Sequence, residues 1–188
     1  MRDPARRMRA GVLWCCLALA LEIQPLAAQS DASRDGQRDF DWDIGAWNTH
    51  LRRLARPLTG SKEWVEYEGT TVVREVWKGN ANLVELDVTG PSGRIQALSL
   101  RLYNPESRQW SLNFASFQNG MLTAPVYGSF DAKDRGTFYG QDMLDGRAIL
   151  VRFVITRPSA GEARFEQAYS ADGGVSWEDN WIAVDTRR

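Results

Sequence analysis

The chain is poor in the residues that metal, thiol and redox chemistry require: its 188 residues include two cysteines and one histidine. A zinc or iron–sulfur centre takes about four such ligands, so no metal and no cofactor of that kind is expected. An excess of one charge is also missing, with 23 Lys and Arg against 24 Asp and Glu. Nucleic-acid surfaces are built on clustered basic residues, so no nucleic-acid partner is expected. Beyond the first 28 residues no segment keeps a helical period for three turns, which excludes a helical domain. The longest uninterrupted run of apolar or small residues, 11–21 (GVLWCCLALAL), is roughly half of the ~20 residues that a membrane-spanning helix needs.

That run has another use. Arg2, Arg6, Arg7 and Arg9 precede it, and Pro25-Leu26-Ala27-Ala28 follows it with a bend and small residues. Basic head, short apolar centre and small-residue end together predict a secretory signal peptide over 1–28, cleaved after Ala28. Met8-Arg9 departs from the twin-arginine pattern, and bulky Trp14 before Cys15 departs from a lipoprotein signal. The expected product is periplasmic or secreted, with no membrane span once the signal is removed. Both cysteines leave with the signal, so an oxidising compartment poses no disulfide problem and no cysteine nucleophile remains. Four arginines and two acidic residues leave as well, so 19 basic residues face 22 acidic ones and the net charge becomes −3. Residues 29–38 are polar and aperiodic, as in a disordered tether. Residues 39–188 suffice for one domain with its own core.

Within that domain, short β-branched and aromatic runs alternate with turn-forming clusters. Candidate strands cover 46–54, 63–69, 70–77, 82–89, 95–103, 110–117, 125–130, 136–141, 148–157, 163–170 and 177–186. The connectors include Lys78-Gly79-Asn80, Gly90-Pro91-Ser92-Gly93, Asp145-Gly146 and Asp172-Gly173-Gly174. Short strands joined by tight turns predict an antiparallel meander. Closure removes exposed edges, so the expected fold is all-β: a single up-and-down β-barrel of about 8–10 strands. A short helix or turn is expected over 39–44. Ile149, Val151, Phe153 and Ile155 share one parity, and Leu98, Leu100 and Leu102 share another. Periodicity alone leaves open which face of either strand points inward.

Gly45-Ala46-Trp47 opens the first strand, and Arg187 and Arg188 end the last. This pattern resembles the Gly-x-Trp signature of calycin-type barrels, the lipocalins and fatty-acid-binding proteins. The resemblance implies that Trp47 plugs the closed end beneath a basic residue of the final strand, with Arg187 the candidate and Gly45 and Trp47 structural. The run 170–177 (SADGGVSW) resembles the Asp-box, in which the equivalents of Asp172, Gly174 and Trp177 shape a hairpin turn. Residues 39–188 as a whole also resemble a group of secreted bacterial proteins, through 40–47 (FDWDIGAW), 101–105 (RLYNP), 138–142 (FYGQD) and 166–170 (EQAYS). That resemblance implies a barrel and export, and no activity.

Little catalytic machinery is legible. A single His50 without a nucleophile elbow is a poor start for a Ser-His-Asp site, and its strand pattern predicts a partly exposed surface position rather than a haem ligand. Arg101, Arg152 and Arg74 interrupt apolar strands, where a guanidinium is paired, reaches the rim or meets an anionic ligand. Glu166, Asp142, Glu85 and Asp179 sit on or beside strands. Arg101, Tyr127, Tyr139, Asp142, Arg152 and Glu166 are therefore the candidate ligand-binding residues, and no residue is assigned as catalytic. The expected function is an exported barrel that binds a small hydrophobic or amphipathic molecule without covalent chemistry. Two alternatives remain: acid–base catalysis on a small hydrophobic substrate, of isomerase, cyclase or decarboxylase type, and an envelope structural or interaction module with a filled barrel.

Overall fold

The computed structural model describes residues 35–188. The signal segment 1–28, its cleavage site after Ala28 and residues 29–34 of the tether lie outside the described residues.

Ten strands follow one another among the described residues: β1 (Gly45–Leu54), β2 (Trp64–Val76), β3 (Ala81–Gly90), β4 (Gly93–Asn104), β5 (Gln109–Ser116), β6 (Val126–Phe130), β7 (Gly136–Leu144), β8 (Arg147–Ser159), β9 (Glu162–Ser170) and β10 (Glu178–Arg187). Each pairs antiparallel with its sequence neighbour, and β10 returns to β1, closing an up-and-down barrel. The unit is all-β, as the alternation of strand and turn residues predicts. One difference concerns the candidate strands 63–69 and 70–77, which are the single strand β2. Gly69 between them is a place of close backbone approach and not a turn: a Cβ there would lie 2.1 Å from the Asp87 carbonyl oxygen.

The expected helix over 39–44 is two 3-10 turns, Gly36–Arg38 and Asp41–Asp43. The first corrects the tether assignment for residues 35–38, which fold against the barrel. Trp110 Nε1 donates to the Gly36 carbonyl at 2.9 Å, and the Tyr103 hydroxyl donates to Asp35 at 2.8 Å. Two buried donors thereby find partners, which holds a polar segment in place despite its lack of apolar period. No helix among the described residues is long and apolar enough to cross a membrane.

Register assigns the two faces. Opposed residues in an antiparallel ladder point to the same side, so the set that includes Trp47 can be followed around the barrel. It runs Trp47 to Thr71, Leu86, Ala97 and Ser116 on one side, and Trp47 to Arg187 on the other. Ile149, Val151, Phe153 and Ile155 face inward with it, opposite Asp142, Gly140, Phe138 and Gly136. On β4 the sides are reversed from what hydrophobicity suggests: Ala97, Ser99 and Arg101 face in, and Leu98, Leu100 and Leu102 face out.

The core is concentrated at the end where β1 begins. Phe40 enters from the 3-10 segment and meets Trp110 and Phe130 edge-on at 5.0 and 4.9 Å, and Phe138 in a stacked arrangement at 6.1 Å. Aromatic pairs of this kind contribute about 0.5–1.5 kcal/mol each beyond their area. Trp47 is 0% exposed and its indole N–H donates to the Asp43 carbonyl at 2.8 Å. Arg187 stacks over the Trp47 ring with its guanidinium carbon 3.9 Å from the centroid, and donates to the carbonyls of Ile44 and Trp42 at 2.7 Å each. Gly45 is fixed by this contact: its φ is +135°, and a Cβ would lie 2.5 Å from an Arg187 nitrogen.

Candidate functional site

Directly above the Trp47 plug the inner face turns polar. Thr49 on β1 lies opposite Asp185 on β10 and next to Thr71 on β2. Thr49 Oγ1 donates to Asp185 Oδ1 at 2.5 Å and lies 2.7 Å from Thr71 Oγ1. A hydroxyl has one proton, so with that of Thr49 given to the carboxylate, Thr71 is the donor in the second bond. Burial pushes the Asp185 carboxyl up to about 6; the hydrogen bond from Thr49 opposes the shift, and the charge of Asp43 adds to it.

Beside this triplet sits a buried ion pair. Arg101 Nη1 donates to Asp43 Oδ2 at 2.5 Å, both side chains being almost wholly buried, and the Arg101 guanidinium lies 4.2 Å from the centre of the Phe40 ring. Two charges removed from water are tolerable only when they face each other, as these do through Nη1, while Arg101 Nε is buried without a hydrogen-bond partner. Arg101 is thereby committed to the floor of the barrel.

Higher in the barrel, Leu86, Ser99, Phe114, Phe153, Phe165, Gln167 and Trp181 also face inward, yet they are only half-buried. Leu86, Phe165 and Trp181 pack against an upper cluster of Leu51, Tyr67, Val88 and Ala183. Phe153 and Phe165 meet edge-on at 5.0 Å along one wall. These inward-facing side chains are mostly apolar and keep part of their surface accessible above a polar base. Leu58, from the loop joining β1 and β2, packs against the cluster that holds Ile149 and Val151 as well as Phe40, its N–H donating to Glu178 at 2.5 Å.

The residues singled out from sequence are distributed differently. Arg101 is inside, spent on Asp43. Asp142 faces inward at the exposed rim and lines an open cavity of about 510 Å³ with Gln141, Met143, Ile149, Leu150 and Ser170. Tyr127 and Tyr139 are paired across β6 and β7 on the outer face, 53% and 54% exposed. Arg152 is also outside, over the Trp177 ring at 4.7 Å and 3.8 Å from Asp179, and Glu166 accepts from Arg164 on the outer wall. The expected lumen cluster is therefore not assembled, because a strand places alternate residues on opposite faces and these four have the outward parity. Glu85 and Arg74 pair with each other outside. His50 is a half-buried outer-face residue 3.7 Å from both Glu66 and Glu68.

Asp185, Thr49, Thr71 and Asp43 are the functional candidates that sequence reasoning missed. Parity finds Asp185: it lies two residues before Arg187, so placing Arg187 over Trp47 also places Asp185 inside.

At the other end of the barrel, the 170–177 turn is held by Asp172. Its carboxylate accepts from the Ser176 hydroxyl at 2.6 Å, the Ser176 N–H at 2.9 Å and the Ser170 hydroxyl at 2.7 Å, and these bonds hold it down at about 2. Gly174 has φ +92°, and Trp177 Nε1 donates to its carbonyl at 3.1 Å. Both carboxylate oxygens of Asp172 are spent on the turn. Among the described residues no group of three or more His, Cys, Asp or Glu is placed to hold a metal.

No protein-family model matches the chain, and no curated protein matches it. Solved structures similar to it include a barrel designated EF1p2_mFAP2b bound to DFHBI, with 9% identity, a TM-score of 0.45 and coverage of 81% of this chain and 99% of that one. A redesigned β-barrel, mFAP0, bound to DFHBI, shares 11% identity at a TM-score of 0.44, covering 78% and 99%. A fluorescence-activating β-barrel designed de novo shares 9% identity at a TM-score of 0.42, covering 79% and 95%.

Proposed function

We propose that this protein binds a small, largely apolar molecule inside its barrel, without covalent chemistry. The observation that carries this reading is the solvent access of inward-facing Leu86, Phe114, Phe153 and Phe165 above a polar base. Apolar space with a few convergent polar groups is the general form of a small-molecule site. Calycin-like architecture supports the reading through Gly45, Trp47 and Arg187 at the closed end. The 170–177 turn acts as an Asp-box hairpin device, a structural and not a catalytic role, since its carboxylate is fully engaged. Export and cleavage after Ala28 are part of the proposal and rest on the sequence of residues 1–28.

Native mass spectrometry of protein purified without denaturation, together with a thermal-shift panel of lipophiles, tests the binding. A co-purifying small molecule or a ligand that raises Tm is the expected result. Ligand at about 100 times Kd adds roughly 2.7 kcal/mol of stability, so a true binder is easily seen. The absence of both a bound mass and any shift across the panel would overturn the reading.

One observation favours a second reading. Asp185, half-buried and raised to about 6, has the poise of a general acid or base near neutral pH, so the same lumen would suit proton transfer on a small hydrophobic substrate. That reading requires the bound molecule to leave chemically altered after incubation with the protein. It also requires Asp185→Asn to abolish the alteration.

A further inference from the structure

We infer that the base of the lumen selects a ligand whose polar head is a hydrogen-bond donor, an amine above all, and rejects one that carries a carboxylate. The inference rests on the proposed lumen binding and names the chemistry of its ligand.

Consider which atoms at the base remain to meet a ligand. The Thr49 proton goes to Asp185, and the Thr71 proton goes to Thr49. Both hydroxyl protons are consumed inside the triplet, so what Thr71 and an ionised Asp185 present to the lumen is lone pairs. An acceptor-only base is satisfied by N–H or O–H groups and by nothing else.

The cations near the base are held by partners of their own, although Arg101 Nε is buried without a hydrogen-bond partner. Arg101 is paired with Asp43 at 2.5 Å and lies on Phe40. Arg187 is spent on two backbone carbonyls and the Trp47 ring. Across the strands from Asp185, β1 supplies Thr49, β2 Thr71 and β9 Ala163, and the charges that act on it are those of Asp43 and Arg101, which oppose each other. With Asp43 and Arg101 offsetting each other, a carboxylate arriving here would meet the remaining negative charge of Asp185. Like charges in a low-dielectric site repel far more strongly than in water. An ammonium head would instead form a charge-assisted bond to Asp185, with Thr71 as a second acceptor. The walls of Phe153, Phe165 and Leu86 suit an aliphatic or aromatic tail.

Three probes with the same tail, decylamine, decanol and decanoate, test this by calorimetric titration of the full chain at pH 8. Decylamine is expected to bind at least about tenfold more tightly than decanoate, with decanol between them. In Asp185→Asn the amine-to-carboxylate ratio is expected to fall below about threefold while decanol binding persists. Thr71→Val is the second variant: it removes one acceptor while keeping the carboxylate, and is expected to weaken decylamine and leave decanoate unchanged. Decanoate binding as tightly as decylamine overturns the inference and leaves lumen binding standing. A preference for the amine that survives Asp185→Asn overturns it too, since the selectivity would then come from elsewhere on an acidic protein. If none of the three binds, the lumen reading fails and this inference with it.

Discussion

Thr49 and Asp185 face each other across the seam where the last strand closes on the first, with the threonine hydroxyl donating to the carboxylate at 2.5 Å. The pair sits two residues above the Trp47–Arg187 contact on the same two strands. Closure of the barrel thus builds a plug and, one step higher, a polar base for the lumen.

Asp185→Asn should stabilise the protein at pH 8 and do nothing at pH 3.5. Because burial raises this carboxyl from 3.8 to about 6, the native state holds its proton more tightly than the unfolded chain does. Ionisation therefore costs stability: the cost is absent below about pH 4, grows between pH 4 and 6, and is complete above, reaching roughly 1–3 kcal/mol. Urea denaturation of both proteins at both pH values checks this. An equal effect of the substitution at the two pH values would contradict it.

Trp47→Ala removes the largest buried ring of the plug and should cost about 3–5 kcal/mol. Arg187→Ala removes its cover and should cost less, about 0.5–2 kcal/mol, the range of a cation over an indole face. Denaturant midpoints decide the order. A near-neutral Trp47→Ala would remove this residue from the floor.

Arg101→Met should cost about 3–5 kcal/mol, because it leaves the buried Asp43 carboxylate without its countercharge. Adding Asp43→Asn removes the stranded charge, so the double variant should be more stable than Arg101→Met alone. A double variant that loses the sum of both single effects would show that the two groups act independently.

Asp172→Ala should lower Tm at pH 7, where three donors, the Ser176 N–H and hydroxyl and the Ser170 hydroxyl, lose the carboxylate. The Ser176 hydroxyl and N–H lead in holding this carboxyl at about 2, below the usual 3.8. Its contribution is therefore present above about pH 4 and disappears as pH falls toward 2. The difference in Tm from wild type should shrink across that window. A wild-type Tm for the variant at pH 7 would count against the turn's dependence on Asp172.

The fold is readable from sequence because its signals are local. Turn clusters such as Asp145-Gly146 mark strand ends, and the alternation of Ile149, Val151, Phe153 and Ile155 marks a face. The plug is readable too, since Gly45, Trp47 and Arg187 lie at the two chain ends that closure brings together. The site is harder because a barrel wall is apolar on both sides in places. Leu98, Leu100 and Leu102 form the more hydrophobic face of β4, yet they point outward while Arg101 points in. Tyr127, Tyr139, Arg152 and Glu166 have binding chemistry and the wrong parity. Asp185 has the right parity, and its importance comes from Thr49 and Thr71, which lie more than a hundred residues away in sequence. Only the register of β1 with β10 joins them.

An open lumen is the central claim of the binding account, and Ser99→Phe tests it directly. Ser99 faces inward in mid-strand and is half-buried, and an open lumen has space there for a phenyl ring. The variant is expected to unfold at the wild-type denaturant midpoint and to lose decanol binding in the same calorimetric titration. Overpacking a filled interior costs about 1–3 kcal/mol. A midpoint lowered by that amount, or decanol binding that survives the ring, would contradict an open lumen and leave a barrel closed upon its own side chains.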